Sequence, residues 1–259
     1  MRRKSGLMAF GAVALVALIV IVIAQMLPAQ SPDVSNGPNQ VKSDGAVVDG
    51  ALVKASPDPA AASITFDEAI GGILADQRTF GEKGVVLLGD SIVARSGVYE
   101  MCAKPILLAG IPGSRVRDWV DLGPDIFAQV EPELVVFALG INDSVAAFNT
   151  DPDKWASDYK ALAKAALPSR LAFVSIMPID KSRPGAAALS EEMRERLNAK
   201  LKTIAEETGG LLIDPLPTAK GLTLDGVHFN DAGQKQWVTN LSAACQAPNQ
   251  PKSDRAPIL

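Results

Sequence analysis

His228 is the single histidine of this 259-residue chain, and Asp225 stands three residues ahead of it in Asp225-Gly226-Val227-His228. Imidazole is the side chain best able to take up and return a proton near neutral pH, so His228 is the candidate general base and Asp225 the acid placed to orient it. A partner nucleophile is offered by Ser91. The apolar run Val85-Val86-Leu87-Leu88 reads as a buried strand, Gly89-Asp90 as a tight turn, and Ser91 as the point where a helix begins. A hydroxyl there lies in the crevice where open α/β sheets bind ligands, beside a helix amino terminus that favours developing negative charge. Taken singly, these features are ordinary, since a serine can merely cap a helix and a glycine merely turn the chain.

Two further strand ends repeat the pattern. Pro105-Ile106-Leu107-Leu108-Ala109 runs into Gly110-Ile111-Pro112-Gly113, and Glu133-Leu134-Val135-Val136-Phe137-Ala138-Leu139 runs into Gly140-Ile141-Asn142-Asp143. Glycine after a strand lets backbone approach a ligand closely, and Asn142 adds an amide donor. Acyl transfer needs such groups, because donors aimed at the oxyanion of a tetrahedral intermediate lower the barrier by about 2.7–4 kcal/mol each.

The four blocks Gly89-Asp90-Ser91, Gly110-Ile111-Pro112-Gly113, Gly140-Ile141-Asn142-Asp143 and Asp225-Gly226-Val227-His228-Phe229-Asn230 together resemble the SGNH, or GDSL-type, hydrolase family over about residues 84–246. The resemblance implies Ser91 as nucleophile, with its own N–H, Gly113 and Asn142 as oxyanion-hole donors, His228 as base and Asp225 as orienting acid. The family often has Gly-Ile-Ser-Gly-Asp in the second block. Here it reads Gly110-Ile111-Pro112-Gly113-Ser114, and Gly113 rather than Gly110 is taken as the donor. The resemblance also implies a three-layer α/β/α sandwich on a five-stranded parallel, flavodoxin-like sheet.

The amino-terminal part has a different composition. Arg2, Arg3 and Lys4 precede an apolar run from Gly6 to Ala24, long enough to cross most of a bilayer of roughly 30 Å, and basic residues ahead of a span place the downstream chain outside the cytoplasm. Residues 1–26 are therefore expected to form a transmembrane anchor, with cleavage as a secretory signal the rival reading. Between residues 27 and 63 Pro, Ser, Asn, Asp, Gly and Ala dominate. Such a stretch buries too little apolar surface to offset its ordering entropy and is read as a flexible linker. A hydrolase domain over 64–246 and a disordered tail over 247–259 complete the expected layout.

From Thr65 onward apolar strands alternate with amphipathic helices, which argues for a mainly parallel sheet covered on both faces. Further strands are expected near Leu171–Met177 and Leu211–Ile213, and helices over Asp153–Leu167, Ser190–Thr208 and Asp231–Cys245. In the second of these, Met193, Leu197, Leu201 and Ile204 form a core-facing stripe.

The net charge is −4, and removing Arg2, Arg3 and Lys4 leaves −7. An acidic exported domain without a basic stripe argues against nucleic acid as a partner. One histidine and two distant cysteines do not make a usual metal site, and without a glycine-rich nucleotide fingerprint no cofactor is implied. Arg115 and Arg117, with Lys181 and Arg183, are either a solvated surface or a cationic rim for an anionic polymer. Cys102 and Cys245 are expected to pair in an oxidising compartment, at the end of the sheet opposite the chemistry.

The function expected from these readings is a membrane-tethered esterase acting outside the cytoplasm on short acyl esters, including O-acetyl groups of cell-envelope carbohydrate. The alternatives are an acyltransferase that moves acyl groups onto a glycan, and an inactive module that binds a glycan or a partner.

Overall fold

The computed structural model describes residues 66–80, 83–214 and 216–250, with short strands at 47–48, 51–52 and 54–55. The apolar run 6–24 and most of the expected linker lie outside the described residues. Among the described residues no helix is long and apolar enough to cross a membrane.

The elements run β1 (Val47–Val48), β2 (Ala51–Leu52), β3 (Lys54–Ala55), α1 (Phe66–Phe80), β4 (Val85–Gly89), α2 (Ser91–Ala94), β5 (Val98–Met101), β6 (Lys104–Gly110), α3 (Val116–Val130), β7 (Leu134–Ala138), α4 (Pro152–Ala165), β8 (Arg170–Val174), α5 (Glu191–Thr208), β9 (Leu211–Ile213) and α6 (Asp231–Leu241). The main sheet has the order β3-β5-β6-β4-β7-β8-β9. Strands β6, β4, β7, β8 and β9 are parallel, so these five carry the flavodoxin-like order 2-1-3-4-5.

The sheet therefore has seven strands, not five. β5 turns back antiparallel onto β6, and β3 adds an antiparallel edge on β5. β3 arises from the stretch expected to be a structureless linker, as do β1 and β2, which pair with each other antiparallel. The expected tail also begins in packed structure: Ala247 is buried and Gln250 Nε2 donates to the Gly209 carbonyl.

The period of two along each parallel strand builds two cores. Val86, Leu88, Val135, Phe137, Leu171 and Phe173 face one side, where α1, α3, α4 and α5 pack. Val85, Leu87, Leu134, Val136, Ala172 and Val174 face the other, covered by α2 and α6. Both faces of a parallel sheet must be covered, which is why these strands are apolar without alternation. The α5 stripe is core: Leu197, Leu201 and Ile204 are buried and Met193 packs against them.

Cys102 lies in the turn between β5 and β6 and is disulfide-bonded to Cys245, with the Cα atoms 5.4 Å apart. Parallel β6 starts there and ends at Gly110, paired with Gly89, so the bridge sits at the opposite end of the sheet from Ser91. α6 stops at Leu241, and a 3-10 turn over Ser242–Gln246 carries Cys245 to its partner.

Candidate active site

β4 delivers Ser91 to the carboxyl end of the sheet at its centre. Asp90 caps the turn, its Oδ1 accepting the Ile92 N–H at 2.9 Å, and Ser91 is the first residue of α2. A side chain at Gly89 would put its Cβ 2.6 Å from the Ala138 carbonyl, and one at Gly110 would lie 2.7 Å from Ala94 Cα. Gly110 is thus bare because the chain just after Ser91 crosses it, and Gly140 because its Cβ would meet Ile176 Cγ1 at 2.8 Å. Close packing within the protein replaces the ligand approach read for these two glycines. Gly113 differs: it is exposed, its φ is +79°, and nothing lies within 4 Å of the position a Cβ would take.

His228 reaches the same end of the sheet from the loop before α6, held by Leu224 N donating to the His228 carbonyl and by Asn230 capping α6. Its Nε2 lies 2.9 Å from Ser91 Oγ, and its Nδ1 lies 2.7 Å from Asp225 Oδ2. The other carboxylate oxygen of Asp225 accepts the backbone N–H groups of Val227 and His228 at 2.9 and 2.8 Å. Partial burial pushes the Asp225 carboxyl up, but the hydrogen bond from His228, its charge and the two backbone donors outweigh this and hold it well below the usual carboxylate range. An ionised carboxylate only accepts, so Nδ1 carries the hydrogen and Nε2 is left free to take the serine proton.

The second and third blocks are tied to each other. Asn142 Nδ2 donates to the Ser114 carbonyl at 2.9 Å, which fixes the amide plane and leaves its second N–H uncommitted. Ser114, buried where the family pattern often has Asp, donates from Oγ to the Gly89 carbonyl and accepts the Trp119 indole N–H. Asp143 Oδ2 accepts the Val116 N–H at 3.3 Å, joining the Asn142 turn to the start of α3. Burial pushes Asp90 up to about 7, with the Asp143 charge adding to the shift and His228 opposing it. Burial likewise pushes Asp143 up to about 6.

Ser114, Asp90 and Asp143 were not singled out as site residues from the sequence. The signal for Asp90 was present in its capping position, whereas the Gly89 partner of Ser114 and the Val116 partner of Asp143 lie 25 and 27 residues away in sequence. The loop after β8 is a further support. Asp180 N donates to the Gly226 carbonyl, and a Cβ at Gly185 would lie 2.8 Å from Asp225 Cβ. The same loop meets the Asn142 turn through Ala146 N to Ala188 O and Ser190 N to Ser144 O.

Of the four cationic residues read as a surface or a rim, three are engaged within the protein. The Arg115 guanidinium lies 4.2 Å over the Phe148 ring. Arg117 is exposed and pairs with Asp118 at 3.5 Å. Lys181 Nζ donates to the carbonyls of Ala186, Ala187 and Leu189, so its charge closes its own loop. Arg183 is exposed, with its Cβ beside Gly226.

The sequence pattern of the GDSL-like lipase/acylhydrolase family matches residues 87–236. The chain belongs to this family. No curated protein matches it, but solved structures share its fold. A GDSL-like lipase from Bacteroides thetaiotaomicron superposes with a TM-score of 0.56 at 15% identity, over 68% of this chain and 97% of that one. A lipase/acylhydrolase from Enterococcus faecalis gives 0.54 at 15% identity, over 65% and 99%. The aryl esterase of M. smegmatis gives 0.53 at 16% identity, over 63% and 98%. As a GDSL-like acylhydrolase the protein is a serine ester hydrolase.

Proposed function

We propose that Ser91 is the nucleophile of an esterase for short acyl esters, including O-acetyl groups on cell-envelope carbohydrate. The observation that carries the assignment is the unbroken relay from Ser91 Oγ through His228 to an Asp225 held ionised. Ser91 Oγ attacks the ester carbonyl as His228 Nε2 removes its proton, and Asp225 stabilises the imidazolium that forms. The N–H groups of Ser91 and Gly113 and the uncommitted N–H of Asn142 receive the oxyanion. His228 returns its proton to the leaving alcohol, and water activated by the same base then releases the acyl group.

The domain is assigned to the outside of the cytoplasm, tethered by residues 6–24. Supporting this are the basic residues ahead of the apolar run and the Cys102–Cys245 bridge, a bond that persists in oxidising compartments. Fluorophosphonate labelling of the purified protein tests the nucleophile: wild type should label, Ser91→Ala should not, and equal labelling of both refutes the assignment. An ester panel that includes acetylated glycans tests the substrate class. Membrane fractionation with protease protection tests the location.

A further inference from the structure

A short antiparallel ladder carries His228. Thr223 pairs with Phe229, and a main-chain hydrogen bond closes the pair on either side, Leu224 N donating to the His228 carbonyl at 2.7 Å and Asn230 N to the Leu222 carbonyl at 3.1 Å. In that register Leu224 stands directly opposite His228. Side chains opposite each other across a ladder share a face, with Cβ atoms about 4.5–5.5 Å apart, and neighbours along a strand take opposite faces. Thr223 and Phe229 take the inner face: Thr223 is buried, and the Phe229 ring lies 5.8 Å from that of Trp237 in α6. Leu224 and His228 therefore take the outer face, from which His228 Nε2 reaches Ser91 Oγ. Leu224 is 65% exposed there. We propose that Leu224 is a specificity-determining residue of the esterase, the apolar contact for the leaving alcohol, and that it selects esters whose alcohol presents a C–H face of ring size, as a sugar ring does. The inference rests on the esterase reading above.

The path of the proton assigns this contact to the alcohol. His228 Nε2 returns its proton to the leaving oxygen, so at that step the alcohol lies against the imidazole, whereas the carbonyl oxygen is turned toward the amide donors. A side chain beside the imidazole on the same face therefore meets the alcohol. A methyl group on the leaving oxygen is too short to cross the gap between the two side chains, and a six-membered ring is not. An exposed leucine is unremarked on most surfaces; its place opposite the single histidine gives this one a role. Leu224 holds the His228 carbonyl through its main-chain N–H, so exchange of the side chain leaves that hydrogen bond in place. Each methyl group that the contact removes from water is worth about 4-fold in binding, and Leu224→Ala takes away the two at the tip.

The test holds the acyl group constant and varies the alcohol: kcat/KM for cyclohexyl acetate and for methyl acetate, with fluorophosphonate labelling of each protein in parallel to report a folded, activated serine. Wild type should favour cyclohexyl acetate. Leu224→Ala and Leu224→Ser should each lower the cyclohexyl-to-methyl ratio by about 10-fold, and the volume-conserving Leu224→Met should leave it within about 3-fold of wild type. The ratio for methyl butyrate against methyl acetate reports the acyl side and should stay within about 3-fold in every variant, because the removed methyl groups lie on the alcohol side. Wild type that favours methyl acetate overturns the proposal, as does a cyclohexyl-to-methyl ratio unmoved in labelled Leu224→Ala and Leu224→Ser, or a change confined to the acyl ratio. Absence of both labelling and ester turnover in wild type instead removes the esterase reading itself, and this proposal with it.

Discussion

Removing the Cys102–Cys245 bridge should cost stability while leaving the chemistry intact. The two residues are 143 apart in sequence. In the chain-entropy treatment, closing a loop of that length removes about 17 cal/mol/K from the unfolded ensemble, or about 5 kcal/mol at 25 °C, and losing a native bridge typically costs about 2–5 kcal/mol. For a domain of this size each kcal/mol moves Tm by about 2–4 °C, so Cys102→Ala with Cys245→Ala should melt on the order of 10 °C below wild type. The bridge ties the β5–β6 turn to the chain after α6 at the end of the sheet remote from Ser91. At temperatures where the variant remains folded, kcat/KM should therefore stay within about 2-fold of wild type. Urea denaturation and ester turnover on the same preparations provide the assay. A loss below about 1 kcal/mol would refute the loop-closure reasoning, and a large fall in kcat/KM of folded variant would refute the separation of the two ends.

Ser91→Ala and His228→Ala should each abolish ester turnover with little change in stability, and the double variant should be no worse than either, because members of one catalytic unit act non-additively; single-turnover assays and urea denaturation decide it. Asn142→Ala should leave Ser91 open to fluorophosphonate while lowering kcat by about 10²–10³-fold, and unchanged turnover would take Asn142 out of the oxyanion hole. Asp90 gives a pH prediction. Its carboxyl ionises near 3.8 in the unfolded chain and at about 7 when folded, so its contribution to stability is full below pH 4 and is lost as pH rises toward 7. Asp90→Asn keeps an acceptor for Ile92 N, so its stability relative to wild type should climb between pH 4 and 7 and level off above; a constant difference across that range would contradict the buried, protonated state.

The central strands were legible because Val85–Leu88 and Leu134–Phe137 are buried on both faces and cannot afford polar residues. Three of the four chemical blocks were legible because each follows such a strand, and the fourth because it ends in Asn230, the cap of α6. The edge was not. β5 and β6 are joined through Cys102 and Ala103, with φ of +57° and +56°, a turn whose usual sequence signal is Asn-Gly or Asp-Gly. Nothing in Cys-Ala announces that hairpin, and β3 is fixed only by pairing with residues more than forty positions away. α3 was also missed, because Gly123-Pro124 interrupts it. The glycine there allows close contact, since a Cβ would lie against the Leu162 side chain of α4. The placement of Lys181 was hidden for a related reason: charge is visible in sequence, but the three carbonyls that engage it are not.

The departure from the family pattern at Ser114 shows how the site is assembled. A carboxylate at this position would be buried, and its desolvation would have to be offset by donors. The hydroxyl instead donates to the Gly89 carbonyl beneath the nucleophile turn and accepts from Trp119 of α3, while the Ser114 carbonyl receives Asn142. One small residue thereby fastens the strand end that carries Ser91, the helix that follows Gly113 and the amide assigned to the oxyanion hole. Three of the four blocks meet in that neutral node. The fourth, Asp225 to His228, is held by its own backbone donors and by the loop after β8. That loop is itself joined to the Asn142 turn through Ala146 N to Ala188 O and Ser190 N to Ser144 O, so all four blocks are braced against one another, and the Ser91–His228 hydrogen bond is the direct link on which the proposed proton transfer depends.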